Sequence, residues 1–360
     1  MTAFPAKPAA FAVDWRPRGD TRSLLNLKSC ELQHPAADQL LTEVIAGLSA
    51  RDIWQYPYQG ELVCTLSRSA QVSAESVLLT AGSSSAIAMI VDALAEPAGR
   101  LLLQEPAFDV WLYHAALRGV STVRCTGLTG TPPAVITHDF ADALRTGPPS
   151  VAVITNPGNP AGIVLPAAHI AQLAELAAAH GHVLVVDECY GAFSGLTHVP
   201  LLGRLPNLIV VRSLSKGWAL AGARLAVVYG SAELIGYLRR FASDAAVSAP
   251  AVALAHALAA RAGELAAICA DVAAIREEFT AAVLRDHLQW TALPSGTNFV
   301  TFSTGVPGTG TRIQSALMKD GIRIRGLDDV AGLAGCVRFS IAHRDQMQRV
   351  TDLLRKLSFC

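Results

Sequence analysis

At 360 residues, 51% of them hydrophobic and 16% charged, the chain has material for one large or two moderate domains, and its sparse charge suggests that another subunit covers part of the surface. Its 29 basic and 29 acidic side chains cancel, so neither nucleic acid nor an anionic membrane is favoured as a partner. The seven cysteines are scattered, with no CxxC pair and no His/Cys cluster, which is the pattern of reduced thiols in a cytoplasmic protein without a metal site.

Residues 1–35 carry prolines and little periodicity and read as an arm laid over the rest; Pro5, Pro8 and Asp14 break any signal-peptide core. Helical periodicity begins at His34–Leu48. From Ser76 onward, apolar runs alternate with amphipathic stretches. Ser76–Thr80 precedes a helix at Ser84–Leu94, Arg100–Gln104 one at Trp111–Leu117, and Ser150–Thr155 one at Ala167–His180. His182–Asp187, Leu208–Ser213 and Arg224–Gly230 follow. Continuous Val/Ile/Leu runs separated by helices are the strands of a parallel or mixed sheet covered on both faces, an α/β domain. After Gly230 the pattern turns to long helices, about Ser231–Phe241 and Pro250–His287. Short strands near Thr297–Phe302, Ile322–Arg325 and Cys336–Ile341 and a last helix at Asp345–Leu357 then predict a smaller α+β domain. The expected division is an arm over 1–35 that joins the small domain, a large domain over 36–240 and the small domain over 241–360. His256, Arg261, Glu264 and Asp271 interrupt the alanine-rich segment 249–274, so it reads as a packed helix and not a membrane span.

In such sheets ligands gather beyond the carboxyl ends of the strands. After Ser76–Thr80 comes AGSSSAIAMI, a turn opening into a helix; its free N–H groups with Ser83, Ser84 and Ser85 suit a phosphate, and an ordinary serine cap is the plainer alternative. Phe108, in EPAFDVW, could stack on a heteroaromatic ring or simply belong to the core. NPGNPAG fixes a non-helical path from which Asn159 can present its amide. Asp187 ends a run with no polar residue from Val183, so its carboxylate needs a cation or donors, and Tyr190 can bring a phenol to the same pocket. Lys216, in SLSKGWALAGAR between two apolar runs, is placed to be desolvated and neutral, which makes it a nucleophile for carbonyls. Ser213, Ser215 and Arg224 surround it. A phosphate anchor, a ring stacker, a buried carboxylate, a phenol and a lysine at successive strand ends are explained together by pyridoxal 5′-phosphate.

With these motifs the sequence resembles the fold type I pyridoxal-phosphate-dependent aminotransferases of class I/II, and most of all the histidinol-phosphate aminotransferase branch. NPGNPAG is similar to the family's NPNNPTG, VVDECYGAF to VVDEAYxxF, RSLSKGWALAGARLA to RTLSKxxGLAGLRxG, and GCVRFSIAH to LRIxxG, over a stretch from Leu25 to the C-terminus. The resemblance implies a mostly parallel seven-stranded sheet between helices in the large domain. It implies that Lys216 forms the Schiff base and moves a proton, that Asp187 pairs with the ring nitrogen, that Asn159 and Tyr190 bond the ring hydroxyl and that Phe108 stacks. Ser83, Ser84, Ser213, Ser215 and Arg224 then hold the phosphate, with Tyr56 supplied by the partner of a homodimer. On the substrate side, Arg338 matches the arginine that receives the α-carboxylate, Arg325 one that helps bind a substrate phosphate, and Asn298 part of the pattern nearby. The departures lie on that side: Cys30 stands where the family has asparagine, GSSSA replaces GSDE, YPYQG replaces YPDP, and RGLDD follows Arg325 in place of the usual RD. The expected activity is amino transfer between an amino acid, or an amino-alcohol phosphate, and a 2-oxo acid, with a specialised amino acid of biosynthetic or secondary metabolism favoured over histidinol phosphate. Decarboxylation, cyclisation or oxidation on the same scaffold, or amino transfer from histidinol phosphate itself, is the alternative. An effector-sensing regulator would need a DNA-binding module that residues 1–35 are too short to make.

Overall fold

The structure is a computed structural model and describes residues 19–130, 132–243 and 245–357. The first half of the expected N-terminal arm therefore lies outside the described residues.

Seven strands form the larger sheet: β1 (Val77–Thr80), β2 (Arg100–Gln104), β3 (Ser121–Cys125), β4 (Val151–Thr155), β5 (Val183–Asp187), β6 (Leu208–Ser213) and β7 (Ala226–Tyr229). Their order is β1-β7-β6-β5-β4-β2-β3, with β7 antiparallel to both neighbours and the other pairs parallel. Alternation of side chains along each strand divides the apolar residues between two cores. Leu79, Leu102, Ile154, Val186 and Val210 face one, which continues into the smaller sheet. Leu78, Leu103, Val153, Val185 and Ile209 face the other, closed by Trp111. Burial on both faces is why these strands read as unbroken apolar runs. The edge strand β3, STVRC, is largely exposed and mixed in character, and so it gives no such signal.

Among the helices are α1 (Pro35–Ala46), α2 (Gly60–Ala70), α3 (Ser83–Ile90), α4 (Asp109–Arg118), α5 (Ala167–Ala179), α6 (Ala249–Ala259) and α7 (Ala262–Asp286). The single helix expected over Pro250–His287 is in fact two, α6 and α7, broken at Ala260–Arg261. Alanine-rich sequence contains no stop signal. At the break, Arg261 reaches out of the helical path to Glu43 on α1 (2.5 Å) and to Glu264 (2.6 Å).

The smaller sheet is antiparallel, of order β8-β9-β11-β10, from β8 (Thr291–Ala292), β9 (Phe299–Ser303), β10 (Arg325–Gly326) and β11 (Cys336–Ser340). Beside it Leu25–Asn26 pairs in parallel with Ile322–Arg323. That pairing carries the chain after Asn26 to the carboxyl ends of the large sheet.

Candidate active site

Asp187 closes β5. It shares a face with Val185, so its carboxylate enters the core that Trp111 closes and is 1% exposed. Its Oδ1 accepts the N–H of Cys189 at 3.1 Å. Burial raises its pKa above the usual carboxylate range, against the pull of Cys189 and of the nearby Trp111 indole, and Glu188 adds a like charge. Among the described residues no basic side chain forms an ion pair with it.

Lys216 follows β6 and the turn at Leu214. Its Nζ donates to the carbonyl oxygen of Ser29 at 2.7 Å. Burial lowers its pKa and the Arg338 charge adds to that, while Cys30, Cys189 and Glu31 pull it back up. The Cys189 thiol interacts with Asp187, Ser83 and Lys216, which places the carboxylate, the amine and the start of α3 around one point; burial pushes that thiol well up.

An anion cradle stands at the start of α3. Gly82 has φ 80° and ψ 166° and no side chain caps the helix, so the first-turn N–H groups of Ser83 and Ser84 lie open. Arg224, itself at φ 58°, brings Nη2 to 2.6 Å from where a Cβ on Gly82 would stand. Its Nη1 donates to Ser215 Oγ at 3.4 Å. Cation, hydroxyls and helix end thus converge on a space that exists because residue 82 is glycine. Ser213 joins this group through Ser215, whose N–H its Oγ accepts at 3.2 Å, and it also lines a cavity of about 210 Å³ with Glu188, Cys189, Arg212, Trp218 and Tyr229.

Tyr190 is buried, edge-on to Phe299 at 5.2 Å, and burial pushes its phenol well above the usual range. Its hydroxyl meets the thiol of Cys30. Cys30 sits at φ 54°, held by Asn298 Nδ2 on its carbonyl (3.0 Å) and by Ser340 Oγ, which accepts its N–H at 3.1 Å. Burial alone would raise this thiol, but the Arg338 and Lys216 charges and hydrogen bonds from Ser340 and Tyr190 carry it below the ordinary range.

Arg338, on β11, donates through Nη1 to Asn159 Oδ1 and through Nη2 to the carbonyl of Lys28 at 2.5 Å, with its guanidinium 5.0 Å from the centroid of Phe299. Among the described residues its Nε has no partner. Asn159 therefore faces the arginine. The other asparagine of NPGNPAG, Asn156, clamps its own loop, bonding both the N–H (2.8 Å) and the carbonyl (3.0 Å) of Leu165. Phe108 is half-buried at the N-cap of α4 and packs on the core that contains Trp111. Arg325 is tied to Asp329 at 2.7 Å. Tyr56 is 87% exposed in a run with Ile53, Trp54 and Tyr58, all at least 70% exposed, and takes no part in this subunit's own site. The sequence reasoning missed Trp111, Cys189, Ser29 and Lys28. Each acts through position alone, and only Cys30 carried a signal, as a departure from the family pattern.

The chain belongs to the aminotransferase class I and II family, whose model matches residues 25–356. It is 30% identical over 340 residues to a histidinol-phosphate aminotransferase of Neisseria meningitidis serogroup C, covering 90% of this chain and 88% of that one. The solved histidinol-phosphate aminotransferase of Sinorhizobium meliloti, in complex with pyridoxal-5'-phosphate, superimposes with a TM-score of 0.82 over 99% of each chain at 23% identity. The L-threonine-O-3-phosphate decarboxylase of Porphyromonas gingivalis shares the fold, with a TM-score of 0.76 over 92% of this chain and 99% of that one at 18% identity. The protein is thus a pyridoxal-phosphate-dependent enzyme of the aminotransferase family. Its residues fit that cofactor: a buried carboxylate without a cation suits a protonated ring nitrogen, the Gly82 cradle suits a phosphate, and a desolvated lysine amine suits an aldehyde. Among the described residues no helix is long and apolar enough to cross a membrane.

Proposed function

We propose that this protein transfers an amino group between a specialised amino acid and a 2-oxo acid, as a cytoplasmic homodimer. The observation that carries the reading is Asp187, buried without a cation at the end of β5, with Lys216 following the neighbouring β6 and the Gly82 cradle following β1. Bound pyridoxal phosphate supplies an electron sink that weakens the bonds at the α-carbon of an attached amine. Asp187, ionised once a cation lies beside it, keeps the ring nitrogen protonated. Lys216, whose pKa burial lowers below the usual lysine range, gives up its Nζ proton more readily than an exposed lysine, which suits it to move the proton at the α-carbon. Ser83, Ser84, Ser215 and Arg224 hold the phosphate, with Ser213 fixing the Ser215 turn. Tyr190 and Asn159 would bond the ring hydroxyl of the bound cofactor, and Phe108 would border its ring. Arg338 receives the substrate carboxylate, since its fork now rests on groups a carboxylate can replace. Arg325 and Asn298 support that pocket. The exposed Ile53–Tyr58 run supports a dimer in which Tyr56 reaches the partner's phosphate site.

Decarboxylation is the second reading, favoured by the likeness to the Porphyromonas enzyme. Purified holoenzyme mixed with a panel of amino acids separates the two. Amino transfer predicts stoichiometric loss of the cofactor's visible band, reversed by a 2-oxo acid; release of carbon dioxide without such reversal sinks it. Unchanged turnover in Lys216→Ala overturns both readings.

A further inference from the structure

Cys30 holds a thiol at the reacting end of the site, 1% exposed and packed with Tyr190 and Phe299. Its backbone keeps φ 54°, which residues with a Cβ rarely adopt, because both ends are clamped: Asn298 Nδ2 donates to its carbonyl at 3.0 Å and Ser340 Oγ accepts its N–H at 3.1 Å. Since Ser340 Oγ accepts there, its own hydrogen is free, and it points at Cys30 Sγ, 3.3 Å away. The Tyr190 hydroxyl is a second donor to the same sulfur. For a thiol hydrogen the Lys28 carbonyl is a poor acceptor, 3.9 Å away and already taken by Arg338 Nη2. A sulfur so supplied with donors favours the thiolate.

Burial opposes that anion, and the charges of Arg338 on β11 and Lys216 after β6 outweigh it together with the two hydroxyls. Lys28 and Glu31 flank the thiol in the chain, with Glu31 accepting from Asn26 Nδ2 at 3.3 Å, and burial pushes the neighbouring Cys189 thiol well up. Ser29, the residue before, takes Lys216 Nζ on its carbonyl at 2.7 Å, so the Cys30 thiol borders the point where an incoming amine replaces that lysine. Two polar atoms beside it are buried without a partner among the described residues: Nε of Arg338, and Oδ1 of the Asn298 amide that holds Cys30. An anion suits the first and an N–H donor the second, and an α-amino acid carries both.

An α-amino group arrives at neutral pH mostly as an ammonium and can replace the Lys216 amine only after it loses a proton. We propose that Cys30 is the catalytic base that takes this proton. The N–H bond breaks, its electron pair stays on nitrogen as the attacking lone pair, and the proton forms an S–H bond at Cys30. The proton leaves again with the next amine released as an ammonium, so no other reactant is consumed. A carboxylate seated on Arg338 cancels part of the charge that favours the thiolate, which raises the sulfur's affinity for the proton as the ammonium arrives. The asparagine that the family has at this position cannot do this. The proposal rests on the proposed function only for Lys216 as the amine that is exchanged, which amino transfer and decarboxylation share.

Two amines of similar size separate a base from a structural role, since methylamine arrives protonated and methoxyamine arrives as the free base. Each is mixed with holoenzyme, and the shift of the visible band reads the rate of exchange at Lys216. Cys30→Ser should slow methylamine by about a hundredfold and methoxyamine by less than about threefold, because a general base is worth roughly 10²–10⁴ in rate. The wild-type methylamine rate should level off above the pKa of the thiol, whereas in Cys30→Ser it should keep rising with the free-amine fraction. In the apoprotein, the ultraviolet absorbance of thiolate, taken as wild type minus Cys30→Ser, should appear at lower pH than that of an ordinary cysteine. Ser340→Ala keeps the thiol and removes one donor, so it should move that appearance to higher pH and show a smaller loss confined to methylamine. Equal slowing of both amines in a Cys30→Ser protein with its full complement of cofactor, or a Cys30 that ionises only in the ordinary range or above, would overturn the proposal. If bound amino acids lose carbon dioxide instead of their amine, the transfer reading fails and the base stands.

Discussion

Replacing Gly82 with alanine tests the cradle at its narrowest point. The new methyl would stand 2.6 Å from Arg224 Nη2 and 2.9 Å from its Cζ, so the guanidinium must withdraw to about 3.5 Å or more. The backbone at φ 80° and ψ 166° is also closed to residues with a Cβ, at about 1–3 kcal/mol. An unfolding entropy of about 2.1 cal/mol/K per residue converts that strain, over a chain this long, into a melting-point drop of roughly 1–4 °C in the apoprotein. Displacing Arg224 from a bound phosphate removes a charge-assisted hydrogen bond of about 1.5–3 kcal/mol, which weakens pyridoxal phosphate binding by roughly 10- to 150-fold. Titration of apoprotein with the cofactor, followed by visible absorption, reads the second effect, and a thermal melt reads the first. Arg224→Gln should lose comparable affinity without the strain. The double variant should then lose little more affinity than Arg224→Gln alone, because both changes remove one contact. Wild-type cofactor affinity in Gly82→Ala, or affinity losses that add fully in the double variant, would refute the assignment of this space to the phosphate.

Lys216→Met should stabilise the apoprotein, and the gain should depend on pH. Burial lowers the folded pKa of Lys216 below its unfolded value near 10.4, so the unfolded chain binds more protons between the two values and wild-type stability rises with pH across that window. The advantage of methionine is therefore largest below the folded pKa and gone above about pH 10.4; denaturant melts over a pH series check it, and a pH-independent difference contradicts it. Asn156→Ala removes two hydrogen bonds that hold Leu165 and should cost about 1–3 kcal/mol in chemical denaturation, with weaker cofactor binding because Asn159 lies in the same loop. Trp54→Ala with Tyr56→Ala should shift the protein toward monomer in sedimentation and weaken cofactor binding with it; a variant that stays dimeric with intact cofactor affinity counts against the interface.

The strand-end residues were legible because the chemistry leaves a mark in the sequence. An aspartate after four apolar residues, and a lysine between two apolar runs, are expensive unless something answers them. The strands that hold them are plain because both faces are covered. The exposed edge strand β3 left no such mark, and nor did the break between α6 and α7, where Arg261 pairs with Glu43, 218 residues away on α1.

Sequence alone thus determined the alternating α/β plan, the order of polar residues along the strand ends and the cofactor they suit, because each follows from local periodicity or from the cost of burying a charge. The tertiary structure decided how the substrate side is built. Ser29 at Lys216, Cys30 at Tyr190, and Lys28 among Arg323, Arg325 and Arg338 are contacts between segments some 160 to 310 residues apart, set by the pairing of Leu25–Asn26 with Ile322–Arg323 and by the Asn298 and Ser340 bonds to Cys30. No local pattern encodes such contacts, because the two sides of each lie far apart in the chain and meet only when the fold brings them together.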